Sequence, residues 1–218
     1  MQPIVVQPTD ALIVVDAQND FCPPHDGIGG ALAVAHGDAV IAPINALAPR
    51  FAHVILTQDW HPAGHISFAS SHPGHSVFEH IATPNGEQVL WPDHCVQQTA
   101  GAALHPALHI PNAELTVRKG KQPHVDSYSA FADNDHSTST GLAEHLRAAG
   151  ITRVFVAGLA YDFCVAATAL DARNEGFEVL VIEDASRAVN VENSVARANS
   201  NFAAKNITRI LTSDFAKP

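Results

Sequence analysis

Cysteine is scarce in this chain: Cys22, Cys95 and Cys164 are the only three in 218 residues. So small and odd a number rules out a disulfide framework. Basic residues are few as well. Twelve Lys and Arg stand against 22 Asp and Glu, a formal charge of −10. Nucleic-acid binding runs on basic patches, so no nucleic-acid partner is expected. No apolar run approaches the ~20 residues of a membrane span. Met1 to Asp10 lacks a basic n-region and an apolar h-region, so no signal peptide is expected. These absences leave a soluble, acidic, cytoplasmic protein with no membrane partner. Composition does not choose between a monomer and a homo-oligomer.

What the chain has in excess is histidine, 14 in all. Eight of them (His61, His65, His72, His75, His80, His94, His105, His109) fall between Trp60 and Ala113. Most read as solvated surface groups. A few are candidates for a metal site.

The length suits a single domain over 1–218 that buries roughly 70% of its unfolded surface. Five short apolar runs predict buried strands: Ala11–Asp16, His53–Asp59, Leu115–Gly120, Arg153–Gly158 and Glu178–Asp184. Ile207–Leu211 is a weaker sixth. The strongest are apolar on both faces, as strands of a covered parallel sheet are. Helical patterns lie between them, over Asp38–Ala48, Thr140–Ala149, Asp162–Glu175 and Val191–Lys205. A Ser/Thr run precedes the second and can cap it. Gly150 and Gly176 follow two of these helices, where a left-handed residue ends a helix. The alternation predicts an α/β, doubly wound (Rossmann-like), six-stranded parallel sheet flanked by helices. Residues 60–113 break it with 54 residues, six prolines and no period. This segment reads as an ordered, metal-bearing insertion.

Ligands of open α/β sheets bind outside the carboxyl ends of the strands. Asp16, Asp59, Lys119 and the Gly158–Cys164 turn stand at those ends. Cys164 sits where a buried strand turns into a helix. A helix N-terminus stabilises a thiolate, and the turn's N–H groups can hold an oxyanion. A buried cysteine is as often a small hydrophobe, so position alone leaves the two readings even. Lys119 could lower the thiol pKa and Asp16 could move protons. Lys121 is a decoy unless the strand ends later than Lys119. Cys22 and Cys95 read as structural.

Asp59-Trp-His61 puts two ligands on one side of an extended segment. His94, in Trp91-Pro-Asp-His94, adds a third. Three protein ligands leave positions open, as catalytic sites do. One carboxylate with imidazoles suits Zn²⁺, Fe²⁺ or Mn²⁺. His65 is either a fourth ligand or a residue behind the ligands. His72, His75 and His80 read as solvated.

Five segments, in order, carry a resemblance. They are Val15-Asp16-Ala-Gln-Asn-Asp20-Phe21-Cys22, then Gln58-Asp59-Trp-His61-Pro-Ala-Gly-His65-Ile-Ser67-Phe68, then Trp91-Pro-Asp-His94-Cys-Val-Gln. Arg118-Lys119-Gly with Asp126-Ser-Tyr128-Ser-Ala-Phe131 follows, and Gly158-Leu-Ala-Tyr-Asp-Phe-Cys164-Val closes the set. Together they resemble the nicotinamidases of the isochorismatase-like cysteine hydrolases. The resemblance implies that fold, a Cys164 nucleophile in a triad with Asp16 and Lys119, and one divalent metal, Zn²⁺ first, on Asp59, His61 and His94. It implies that Phe21 and Trp91 sandwich the substrate ring. It implies a cis Leu159–Ala160 peptide, with the N–H groups of Ala160 and Cys164 as the oxyanion hole. Tyr161 occupies a variable position of the family, so its contact stays open. The substrate implied is nicotinamide, with pyrazinamide beside it, hydrolysed to the acid and ammonia through a thioester in NAD salvage. Rival readings are a metal-independent amidase or isochorismatase-type hydrolase on the same fold, a metallohydrolase with a structural Cys164, and a non-enzymatic metal-binding protein.

Overall fold

The apolar runs pair as one sheet of six parallel strands in a computed structural model that describes residues 3–217. Met1, Gln2 and Pro218 lie outside the described residues. The strands of this sheet are β1 (Asp10–Val15), β2 (His53–Asp59), β5 (Ala113–Lys119), β6 (Arg153–Leu159), β7 (Glu178–Arg187) and β8 (Thr208–Ile210). Their spatial order is β5-β2-β1-β6-β7-β8. The order reverses between β1 and β6, which is where a doubly wound sheet opens a crevice.

Strand geometry divides the core. Leu12 and Val14 of β1 point to one face, and Ala11, Ile13 and Val15 to the other. The first face packs with Phe51, Phe155 and Phe215, the second with Leu142, Leu146 and Phe202. Each such side chain contributes about 1.5–3 kcal/mol on full burial. The covering helices are α1 (Ile41–Leu47), α2 (Leu142–Ala148), α3 (Ala166–Asn174) and α4 (Ser194–Ala204). All four are shorter than their sequence patterns. α1 gives up its ends to 3-10 turns at Gly37–Val40 and Ala48–Arg50. The residue before α2 is Gly141, in the left-handed region at φ 85°, and no side chain caps it in the usual way. Thr140 serves from one step back, its Oγ1 accepting the Leu142 N–H at 3.3 Å.

β7 outruns its expected end at Asp184. A register shift lets Gly158 pair with Ser186, so the strand continues to Arg187. Gly158 itself is in the region that favours glycine, at φ 120°. A Cβ there would lie 2.1 Å from the Val15 carbonyl oxygen. Glycine thus lets β6 close on the end of β1, which brings the turn after β6 beside Asp16.

Residues 60–112 run between β2 and β5. They are ordered, with a 3-10 turn at Ala69–Ser71 and a small antiparallel hairpin, β3 (His80–Thr83) with β4 (Gly86–Val89). The sequence reading missed that hairpin. Among the described residues no helix is long and apolar enough to cross a membrane.

Candidate active site

Strand register assembles the site. Asp59 pairs with Lys119 across β2 and β5, so their side chains stand next to each other on one face. Asp16 follows the last residue of β1 at φ 45°, a turn that points it toward the same place. The Lys119 ammonium lies 2.8 Å from Asp16 Oδ2, 2.6 Å from Asp59 Oδ1 and 3.3 Å from Cys164 Sγ. It also donates to the Ser127 carbonyl at 3.2 Å. Lys119 has no exposed surface, while Lys121 is exposed, so the strand does end at the expected lysine.

Burial works against the Lys119 charge, but Asp16 and Asp59 overcome it and hold its pKa well above the usual lysine value. Burial raises Asp16 above the usual carboxylate range, with Lys119 opposing. Burial pushes Asp59 up too, yet Lys119 and then His61 bring it well below that range. Thr57 steadies Asp16 by accepting its N–H at 3.0 Å and donating to Oδ1 at 2.5 Å. The Gln18 carboxamide clamps the Asp59 main chain, accepting its N–H and donating to its carbonyl, both at 2.8 Å.

Cys164 lies in a wide π-type turn, Tyr161–Val165, that precedes α3. The Leu159–Ala160 peptide bond is cis. The Ala160 carbonyl accepts the N–H groups of Phe163 and Val165, both at 3.1 Å, and passes over that of Cys164 between them. The thiol differs from the expectation of a lowered pKa. Burial pushes it well above the ordinary cysteine value, with Lys119 pulling down and the two carboxylates pushing up. A resting thiol needs a base beside it, and Asp16 is on the other side of the same ammonium. Cys22 and Cys95 are buried and free, the former pushed by burial up to about 12.

Asp59, His61 and His94 come together with their ligand atoms all within 4.8 Å of one another. Asp59 Oδ2 is 3.3 Å from His61 Nε2 and 3.5 Å from His94 Nε2. The other nitrogen of each ring is occupied. His61 Nδ1 donates to the Gly120 carbonyl at 3.0 Å, and His94 Nδ1 to the Pro92 carbonyl at 2.8 Å. Such bonds fix the tautomer that bares Nε2 for a metal. One carboxylate oxygen and two bare imidazole nitrogens, buried and convergent, fit a divalent ion with open positions. Phe68, fully buried, sets its edge against His61, His65 and His94, with ring centroids 5.5–5.6 Å apart.

His65 groups not with Asp59 and His94 but with His61 and Asp126, one ligand atom of each lying within 4.8 Å of the others. Its Nε2 is 3.2 Å from the Val125 carbonyl and its Nδ1 2.7 Å from Ser67 Oγ, so both nitrogens are engaged. Its ring stacks on His61 at 4.1 Å. Burial and His61 depress its pKa to about 4. Tyr161 points away, its hydroxyl 2.6 Å from Asn199 Oδ1.

A small cavity opens over Cys164, His61 and His94. Phe21 and Trp91 both line it, as do Ala160, Leu32, Phe163 and Val189. Phe163 packs edge-on to Trp91 with centroids 4.8 Å apart. Sequence reading passed over Phe163, Tyr128 and Asp126 as wall residues, though all three stand inside the quoted segments. Leu32 and Val189 carried no signal.

A sequence profile of the isochorismatase domain matches residues 10–214. The nicotinamidase of Acinetobacter baylyi is 50% identical over 92% of this chain and 91% of its own. Among solved structures, the Acinetobacter baumanii nicotinamidase/pyrazinamidase superposes with a TM-score of 0.92 at 50% identity, covering 95% of this chain and 98% of that one. PnC1 of L. infantum, in complex with nicotinate, gives 0.85 at 39% identity over 99% of both chains. The Pyrococcus horikoshii pyrazinamidase, in complex with zinc, gives 0.74 at 36% over 94% and 99%. Fold, motif order and full-length similarity agree, and the chain belongs to the isochorismatase family, on the branch the nicotinamidases occupy.

Proposed function

We propose that this chain hydrolyses the carboxamide of nicotinamide to nicotinate and ammonia, and acts on pyrazinamide as well. One observation carries the reading. A single buried ammonium, Lys119, touches Asp16 and two residues that line an aromatic-walled cavity, Asp59 and Cys164. The chain works as one domain over 1–218, in the cytoplasm, within NAD salvage.

Asp16 takes the thiol proton while Lys119 stays beside the sulfur. Cys164 Sγ attacks the carboxamide carbon, and the N–H groups of Ala160 and Cys164 hold the oxyanion. The C–N bond breaks as Asp16 returns its proton to the leaving ammonia, which leaves a thioester. Asp16 then deprotonates water, which attacks the same carbon; the C–S bond breaks, Asp16 returns that proton to the Cys164 sulfur, and the acid leaves as nicotinate. Phe21 and Trp91 hold the ring between them. Asp59, His61 and His94 would hold the divalent ion, zinc in this reading, which supplies a Lewis-acidic anchor for the ring nitrogen. A non-enzymatic metal-binding role leaves Lys119 and Cys164 without work.

The test measures ammonia release from nicotinamide, with and without a chelator, in wild type and in Cys164→Ala. Turnover is expected in wild type only, with about one metal bound per chain in both proteins. Substantial activity in Cys164→Ala would overturn the covalent route.

A further inference from the structure

The β3–β4 hairpin is an appendage that a doubly wound sheet does not need. Its residues are exposed or half-buried except one, Gln88 on β4, which is 5% exposed. A polar side chain buried from an otherwise wet hairpin costs desolvation unless it meets partners. Gln88 meets several. Its amide nitrogen is 2.7 Å from Asp126 Oδ2, 2.8 Å from the Val89 carbonyl and 3.4 Å from the Tyr128 hydroxyl. The Tyr128 hydroxyl accepts the Trp91 indole N–H at 3.1 Å.

Asp126, Tyr128 and Trp91 all line the cavity over Cys164, and Gln88 does not. Three wall residues, two from the loop after β5 and one two residues past β4, are thus linked behind the wall: Asp126 and Tyr128 to the amide, and Trp91 through the Tyr128 hydroxyl. Each bond has directional consequences. The donor to Asp126 keeps a buried carboxylate oxygen satisfied and in place, and the contact with Tyr128 steadies the hydroxyl on which the indole hangs. Trp91 has Phe163 and Phe78 against it edge-on, at 4.8 and 5.9 Å. Those contacts limit its tilt, and the hydrogen bond fixes its rotation in plane.

We infer that Gln88 is a positioning residue for the ring-binding wall, and that the hairpin serves to deliver it. This rests on the proposed nicotinamidase reading. A wall residue of this kind sets ground-state binding of the ring and leaves the Cys164 chemistry alone, so its loss falls on KM.

The test is steady-state kinetics on Gln88→Leu, which keeps the volume and removes both donors. KM for nicotinamide rises about tenfold while kcat stays within about threefold. Nicotinate, titrated by quenching of tryptophan fluorescence, loses affinity by the same factor. Of the two tryptophans, Trp91 lines the cavity and Trp60 does not, so quenching by bound nicotinate reports on Trp91. Should Gln88→Leu fail to fold, Gln88→Met removes the same donors from an unbranched chain. Tyr128→Phe, combined with either variant, gives less than the sum of the single effects. Unchanged KM and nicotinate affinity, a loss confined to kcat, or additive effects would overturn the inference. Wild-type turnover in the same series keeps that failure distinct from a failure of the nicotinamidase reading.

Discussion

Lys119 Nζ stands 2.6 Å from Asp59 Oδ1, while the other oxygen of that carboxylate faces His61 and His94. One carboxylate therefore serves two neighbours, an ammonium on the nucleophile's side and two imidazoles on the other. Removing that carboxylate is therefore felt on both sides.

Lys119→Met removes the charge and keeps the length. It takes away the ammonium that stands between Asp16 and Asp59, so the two buried carboxylates repel more strongly and the thiol loses the cation in contact with it. Ammonia release should fall by at least about 10³-fold. Metal content should hold near wild type, because all three ligands remain. Lys119→Arg should not rescue, since a guanidinium fork does not fit a site with no exposed surface. Rescue by arginine would mean that charge alone suffices.

Asp59→Ala removes the shared carboxylate. Metal content by elemental analysis should drop, and the apparent KM for nicotinamide should rise. The kcat should fall too, through Lys119 losing one of its two carboxylate partners. Metal content equal to wild type would remove Asp59 from the ligand set.

Gly120→Ala tests the brace behind His61. Gly120 adopts φ 64°, and a Cβ would come 2.4 Å from His61 Cε1 and 2.6 Å from Nδ1. The ring must move, and it gives up the Gly120 carbonyl that fixes its tautomer. Metal affinity, read by chelator competition, should weaken about 10–100-fold. The apo protein's circular dichroism should stay close to wild type. Undiminished affinity would show that the imidazole is not held from behind.

Much of this site was legible because its carriers are strand ends. Short apolar runs located Asp16 and Asp59, a weaker one Lys119, and parallel register then brought Asp59 beside Lys119 across 60 residues of sequence. The β3–β4 hairpin escaped because its strands are four residues each and mostly polar. Its turn did leave a mark, Pro84-Asn85-Gly86, which is hairpin chemistry without the flanking apolar alternation. The π-type turn at Cys164 has no periodic signature, so the helix read from Asp162 begins instead at Ala166. The direction of Tyr161 and the engagement of both His65 nitrogens depend on partners distant in sequence, and spacing does not reveal such partners.

Asp162 offers a test of the far wall. Its carboxylate accepts the N–H groups of Val189 and Asn190, at 3.0 and 2.7 Å, and the Ser194 hydroxyl at 2.5 Å. These bonds hold the loop that supplies Val189 to the cavity. Asp162→Ala should cost about 2–3 kcal/mol, from donors left unpaired. For a chain of this size that lowers Tm by roughly 5–10 °C. KM should rise as well, since the loop is released. A Tm within a degree of wild type would show that solvent replaces the carboxylate.

β5 is one of the two outer strands of the sheet, paired on one side only among the described residues. Its last residue is Lys119. Outer strands open at lower free energy than the middle of a sheet, without the rest of the molecule unfolding. Warming should therefore silence the enzyme while its centre is still intact. Inactivation measured by ammonia release would precede the loss of far-ultraviolet ellipticity. Amide exchange at Val117 and Arg118 would outpace that of Ile13 and Val156. Heat tolerance of activity is then set at the rim, and the place to reinforce it is the face that β5 leaves open.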